Sequence, residues 1–577
     1  MIDFLHPVVF FLISSLLLLI LPSKITRSTV LLLFPLFLLF YLFGLEEGEY
    51  WLVKFADNEL LLGKVDRLSL GFAYAFAVIT FLVNLYGLHI EDKSYHLGTQ
   101  LYQASSFGVV FAGDWLTFFG FWELMAIGGL LIVLNGKKKR SLDAAFRYLI
   151  LHLLGGTLLF AGLLMSTDYT QSIRVSESFE LSLASFLILV GFLLNAACPP
   201  LHGWLPDAYP EAKPEGTVVL SAFTTKVAVY ALARVFPGLE LLVWLGVIMA
   251  LYGIFYAILE NNLRRLLSYH VISQVGYMVC GIGLGTFTSI NGAVAHAFSN
   301  ILHKSLLLMA VGSVIYATGR EEMWEFKNIR IFKTLRFSLW IYMVGAFSIS
   351  GVPFFAGFST KTVLMFASAE LHRPVVNTLL HLASLGTFLS IALKLPYGTW
   401  LGKERGFVTV KIPKNMSISM VLLSFLCVMV GVYPPLLYAT LPYPMGFDPY
   451  NPYNVITTLQ LFAFSFFAFF MLKDRFSFDA KINLDVDWFY RKFGTLFFLI
   501  SHNKYNLRLR IQSFIADLVN RVITLSQNPV QNYRILIKRV EYLPRNFDPP
   551  KKAYDISLGI GAFLGIYGLI ALIFLLF

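Results

Sequence analysis

Four lysines stand inside apolar, membrane-length stretches of this 577-residue chain: Lys226 in LSAFTTKVAVYA (220–231), then Lys304, Lys361 and Lys394. An ammonium near a bilayer centre costs at least about 2.5 kcal/mol on the most lenient scale, so it is normally retained for ion movement. Glu123, in FFGFWELMAIGGLL, adds a carboxylate, and His270, His296 and His303 add imidazoles, the side chains whose ordinary titration lies nearest neutrality. Each has a blander reading: snorkelling to the headgroups for Lys361 and Lys394, a purely structural pairing for Glu123, and a satisfied core position for each histidine. Taken together, titratable groups spread through several spans are what a hydrated proton or cation relay requires.

The elements that must position these groups are membrane helices. The chain is 57% hydrophobic and 14% charged, with a mean hydropathy of +0.70, far too apolar for a soluble protein. Stretches of about 20 apolar residues recur about sixteen times, from 6–22 to 555–577, and the twelfth, 335–372, is long enough for two half-helices. HPVVFFLISSLLLLILP is expected to be a retained first span, since no basic region precedes it and no small-residue cleavage site follows. Basic residues at 24–27, 137–140, 264–265, 327–333 and 403–405 fall on one side of the membrane, and the acidic loops 46–59 and 168–180 fall on the other. By the positive-inside rule both termini are then outside, in a multi-pass protein of the cell membrane. The net charge of +11 fits span ends and lipid headgroups, not nucleic acid. Cys198, Cys280 and Cys427 lie singly, without metal-ligand spacing.

Helix breakers interrupt two spans. Pro199 and Pro200 fall in NAACPPLHGWLPDAYPEAKPEG, and Gly351, Pro353 and Gly357 in SISGVPFFAGFSTK. Proline removes an N–H and clashes with the preceding turn, so both regions should hold unwound backbone buried in protein. Paired broken helices point to inverted repeats and a midplane path. The expected fold is all-α and polytopic, with N-terminal helices in 1–90, five-helix repeats at 98–235 and 241–398, and further spans in 417–472. A basic amphipathic lateral helix over 485–552, bent at Pro529, and an anchor at 555–577 complete it.

The motifs FWELM (121–125), PLHGWLPDAYPEA (200–212), LSAFTTKVAVYALAR (220–234), NNLRRLLSYHVISQVGYM (261–278), HAFSNILHKSLLLM (296–309), GVPFFAGFSTK (351–361) and DVDWFYRK (485–492) occur in that order. Together they resemble the antiporter-like membrane subunits of complex I, Mrp cation/proton antiporters and membrane-bound hydrogenases. DVDWFYRK and LKLPY (393–397) most resemble the Mrp D subunit and its archaeal relatives in hydrogenase and sulfane sulfur reductase complexes. The resemblance implies a proton relay through Glu123, Lys226, Lys304, Lys361 and Lys394, with His270, His296 and His303 as auxiliary carriers. One departure stands out: the family has a lysine before the seventh-span break, in a form like KAALFPLH, where this chain reads NAACPPLH with Asn195. Glu123 thereby loses an attraction of about 4 kcal/mol at an effective dielectric near 20. Either the first half-channel is silent or Lys226 with water takes the partner's role; the second repeat is expected to dominate.

No CxxC, dinucleotide fingerprint or haem-spaced histidine pair is present, so no cofactor is expected in this chain, and the resemblance puts iron–sulfur clusters in partner subunits. It implies an ion-translocating subunit of a redox-driven complex, with no redox site of its own. Its lateral helix would brace a neighbouring antiporter-like subunit, as in the distal subunit of complex I. The alternatives are a subunit of a stand-alone Mrp-type Na+/H+ antiporter and a largely structural subunit.

Overall fold

The computed structural model describes residues 4–55, 58–166, 182–402 and 409–473, with Val175, Phe478, residues 484–486 and scattered positions from 488 to 520. Inside lipid a backbone can satisfy itself only through helices or closed barrels, and here it does so through helices. α1 (Val8–Ile20) and α2 (Lys24–Phe43) precede a hairpin of β1 (Gly48–Phe55) and β2 (Asn58–Val65). Next come α3 (Arg67–Gly87), α4 (Lys93–Phe111), α5 (Trp115–Leu134), α6 (Lys139–Ser166), α7 (Leu183–Asn195), α8 (Trp204–Ala208), α9 (Pro214–Ala222) and α10 (Thr224–Val235). α11 (Glu240–Leu259), α12 (Leu263–Leu284), α13 (Phe287–Thr318), α14 (Arg336–Ser350), α15 (Ala356–Glu370) and α16 (Pro374–Thr387) follow. A π-helical turn, Phe388–Lys394, joins α16 to α17 (Leu395–Trp400). α18 (Lys414–Val432), α19 (Pro435–Tyr438) and α20 (Pro452–Leu472) complete the described helices of the first unit.

Ten helical spans among the described residues are long and apolar enough to cross a membrane, and α1 and α7 are shorter apolar helices. The protein is a multi-pass, mainly helical membrane protein. The chain divides into two units, Met1–Tyr490 and Arg491–Phe577. The second is helical at residues 512–517. Most of the expected lateral helix, the anchor at 555–577, the basic pair 403–405 and nearly all of the acidic loop 168–180 lie outside the described residues.

The acidic segment 46–59, expected as a loop, enters a hairpin instead. Its strands pair from Gly48↔Val65 to Phe55↔Asn58. Asp114 fastens it to the start of α5, because one carboxylate accepts from Thr117 N (2.8 Å), capping the helix, and from Leu61 N (2.9 Å) of β2.

Loop charges sort to two ends of the bundle. At one end Lys24 pairs with Glu91 (2.7 Å), Lys137 with Asp92 (2.6 Å), and Lys138 and Arg264 with Glu321 (3.3 and 2.8 Å). At the other, Arg67 pairs with Glu47, Arg234 with Asp66 and Arg373 with Glu240. The exposed pairs among them, such as Lys24–Glu91 and Arg373–Glu240, stabilise little, but together the pairs show which loops share an end.

Two stretches of the bundle have the same element order. In α4–α10 and again in α11–α17, three continuous helices are followed by a broken helix (α7/α8, α14/α15) and then by an interrupted one (α9/α10, α16/α17). The two most enclosed of the ten spans, α9/α10 and α13, carry Lys226 and Lys304. Close backbone approach holds the second stretch together. A Cβ at Gly246 of α11 would lie 2.3 Å from Cys280 N of α12, and one at Gly276 would lie 2.5 Å from Ala250 N. Small residues let membrane helices meet this closely. Gly276→Leu should therefore destabilise the protein by about 1–3 kcal/mol or more, read as a lower thermal unfolding midpoint in detergent; an unchanged midpoint would contradict this packing.

Candidate functional site

The two breaks expected from proline and glycine are present. α7 stops at Asn195, the chain turns through Ala197 (φ 58°) and the Pro199–Pro200 pair, and helix resumes at Trp204. Asn195 is buried, and its Oδ1 meets no hydrogen-bond partner among the described residues. α14 ends in Gly351 at φ 87°, a left-handed position natural to glycine. Pro353 follows, and α15 starts within hard contact of α14, since a Cβ at Gly357 would fall 1.8 Å from Ser348 O.

A third break was not legible. α9 and α10 are separated at Phe223, in a stretch, LSAFTTK, without proline or glycine. Two tyrosines hold it open: the Tyr209 hydroxyl donates to Leu220 O (2.9 Å), and the Tyr102 hydroxyl accepts from Thr224 N (3.1 Å). The fully buried Lys226 Nζ donates to Ser221 O (2.8 Å) and Thr225 Oγ1 (3.3 Å) beside this break. The run of Ser221, Thr224 and Thr225 around Lys226 is the only local signal.

The other lysines are met differently. Lys394 ends the π-helical turn and donates to Ile258 O and Glu260 O, both at 2.6 Å, at the C-terminal end of α11. A cation there also meets the negative end of the helix dipole. Lys361, on α15, lies 4.9 Å from the centre of the Tyr277 ring and donates to Ser384 Oγ at 3.4 Å. It borders a cavity of about 20 Å³, room for about one water, with Ser350, His381 and Ser384. Lys304 is fully buried, and its Nζ has no hydrogen-bond partner among the described residues.

Histidines and hydroxyls lie between these lysines. His303 is within charge–charge range of Lys226, Lys304, Lys361 and His296. Its ring is 6.2 Å from that of His296, whose Nδ1 meets Thr360 Oγ1 at 3.1 Å, one residue before Lys361. His270 is within range of Lys304, Lys361 and Lys394, and Ser390 Oγ lies 2.8 Å from its Nε2. The structure thus joins Lys226, Lys304, Lys361 and Lys394 with His270, His296 and His303 in one buried cluster.

Glu123 is not part of that cluster. It lies on α5 against α6, where a Cβ at Gly156 would fall 1.7 Å from its Oε1, and that oxygen has no hydrogen-bond partner among the described residues. Sequence reasoning also passed over a second constellation. Asp485, expected at the start of a lateral helix, is buried instead: its Oδ2 lies 3.0 Å from His202 Nε2 and accepts from Tyr269 OH at 2.6 Å, while Oδ1 accepts from Tyr252 OH. Both residues stand in family-like motifs, PLHGW and DVDWFYRK, but 283 positions separate them.

Comparison with known proteins agrees with this architecture. Residues 112–390 match the family model for the transmembrane region of NADH:quinone oxidoreductase and Mrp antiporters. The D subunit of the Na(+)/H(+) antiporter of Bacillus subtilis is 26% identical over 356 residues, 57% of this chain and 71% of that one. A chain of the archaeal membrane-bound sulfane sulfur reductase superposes with a TM-score of 0.67 at 22% identity, covering 97% of this chain and 99% of its own length. A chain of the Mrp complex of Dietzia sp. DQ12-45-1b superposes with a TM-score of 0.68 at 21% identity, covering 75% and 94%. The segment that bears the broken helices and three of the four buried lysines thus resembles the antiporter-like membrane subunits of Mrp antiporters and complex I.

Proposed function

We propose that this antiporter-like, ion-translocating subunit moves protons within a redox-driven membrane complex of the hydrogenase or sulfane sulfur reductase type, mainly through its second repeat. The observation that carries the reading is the buried succession Lys304, His303, His296, Thr360 and Lys361, continued by His270 towards Lys394. Several of its polar atoms, among them Lys304 Nζ, His296 Nε2 and His270 Nδ1, have no protein partner among the described residues. Buried polar groups at such depth call for water, which is the medium a proton path needs. The interrupted helices provide the irregular backbone expected where a membrane bundle encloses such a path.

The redox assignment is supported by the likeness to the sulfane sulfur reductase chain over nearly all of this chain, against three quarters for the Mrp chain. On this reading, iron–sulfur subunits handle the electrons, and other antiporter-like subunits and lipid surround this one. The lateral segment braces a neighbour. The end that gathers Lys24, Lys137, Lys138 and Arg264 faces the cytoplasm of a cell membrane, with both termini outside. The likeness to a component of an Na(+)/H(+) antiporter favours a second reading, a stand-alone Mrp-type antiporter. Co-purification of iron–sulfur subunits separates the two.

Two predictions follow from the asymmetry of the buried charges. In proteoliposomes containing the intact complex, Lys361→Ala should lower proton movement per driving turnover on the order of 100-fold, whereas Glu123→Ala should retain most of it; equal losses would contradict a dominant second repeat. For stability, Lys394→Met removes two charge-assisted bonds and should cost about 1–3 kcal/mol. Lys304→Met removes none among the described residues and should leave the unfolding midpoint unchanged or raised. The reverse order in thermal melts would contradict the partner assignments.

A further inference from the structure

The break after α7 is where the family lysine is replaced by Asn195, and it is also where His202 meets Asp485. His202 is fully enclosed, and the Asp485 side chain is 4% exposed. The carboxylate is saturated: Oδ1 accepts from Tyr252 OH and from Val486 N (2.6 Å), and Oδ2 faces Tyr269 OH and His202 Nε2. Burial alone pushes this carboxyl up, but the hydrogen bonds from His202 and from the two tyrosine hydroxyls favour its charged form and help hold it low. Asp485 is thus a fixed anion beside an imidazole. His202 Nδ1, on the far side of that ring, is buried and has no hydrogen-bond partner among the described residues. Among the described residues, Arg265 and Glu260 are the further charged groups that act on Tyr269. Arg265 is spoken for by Pro206 O (3.1 Å) and Glu260 by the amides of Asn261 and Asn262 (2.8 and 3.0 Å).

We propose that His202, with Asp485 as its counter-charge, is the proton carrier of the first repeat, in place of the lysine that Asn195 replaces. The proposal rests on the ion-translocation reading above. A proton arrives at the open Nδ1 lone pair of neutral His202, whose Nε2–H already points to Asp485, and the resulting imidazolium forms an ion pair with the carboxylate. Loss of the same proton from Nδ1 restores the neutral ring. Asp485 keeps its charge throughout and acts as a positioning residue, oriented by Tyr252 and Tyr269. Unlike the lysine it replaces, this carrier is completed by a segment that follows the last described span, so the root of the lateral segment becomes part of the first repeat.

The test uses the intact complex in proteoliposomes and reads protons moved per driving turnover. Asp485→Asn keeps the size of the side chain and a carbonyl oxygen for the tyrosines but removes the charge, and His202→Gln keeps an amide donor towards Asp485 but cannot titrate. Both should lower the proton yield in the otherwise native complex and remove the residual proton movement left by Lys361→Ala, while Asp485→Glu restores it. A latch without a proton role predicts native yield for Asp485→Asn, and that result would overturn the proposal. If Asp485→Asn fails to assemble, His202→Gln decides alone: native yield overturns the proposal and a lowered yield upholds it. Should the native complex move no ions at all, the transport reading fails and this proposal with it; a native complex that pumps alongside unaffected variants overturns this proposal only.

Discussion

A lysine ammonium taken to membrane depth has to be met by oxygen atoms, and in this bundle interrupted backbone supplies much of what meets it. Regular helix consumes its own carbonyls, so a continuous helix has nothing to give a buried cation. Lys226 sits three residues beyond the break at Phe223 and bonds Ser221 O; Lys394 ends a π-helical turn and bonds the last carbonyls of α11. Lys361 lies beside the α14/α15 break, with Ser384, itself bonded to Ser350 O at 3.1 Å, as its partner. Each hydrogen bond to a charged group contributes about 1.5–3 kcal/mol, comparable to the least that a charge at this depth costs. Lys304, in the middle of the unbroken α13, has no such support among the described residues. The cluster therefore includes cations held by backbone, Lys226 and Lys394, and one, Lys304, that meets no hydrogen-bond partner among the described residues.

The same constraint explains the packing. Breaks at membrane depth are tolerated only when other helices enclose them, and the most enclosed spans are the ones carrying Lys226 and Lys304. Glycine contacts such as Gly246–Cys280 and Gly276–Ala250 bring backbones close enough to do this. Glu123 stands outside that enclosure, against α6. Asn195 at the first break carries no charge, whereas the second stretch holds Lys304, Lys361 and Lys394 buried.

Much of this was legible in the sequence for a definite reason. Buried lysines announce themselves because their transfer cost is large, and the breaks at 195–204 and 351–356 are marked by proline and glycine, whose effect on a helix is local. Phe223 was opaque because its break is made by tyrosines from elsewhere, Tyr102 and Tyr209, bonding the backbone across it. Composition points to an acidic loop where the hairpin stands, because Glu46, Glu47, Glu49 and Glu59 dominate the segment, although GEYWLVKF is rich in strand formers. Charge and periodicity place Asp485 at the start of an amphipathic helix. Its burial depends on His202, Tyr252 and Tyr269, three residues more than 200 positions upstream. Local propensity reports what a segment prefers; it is silent on what a distant segment offers it.

The most direct measurement of the central claim is a structure of the intact complex at a resolution that reveals ordered waters. The expected result is a continuous file of waters and side chains linking Lys304, His303, His296 and Lys361 and reaching on to Lys394, with no such file between Glu123 and Lys226. A dry second repeat, or an equally hydrated path running from Glu123, would contradict it.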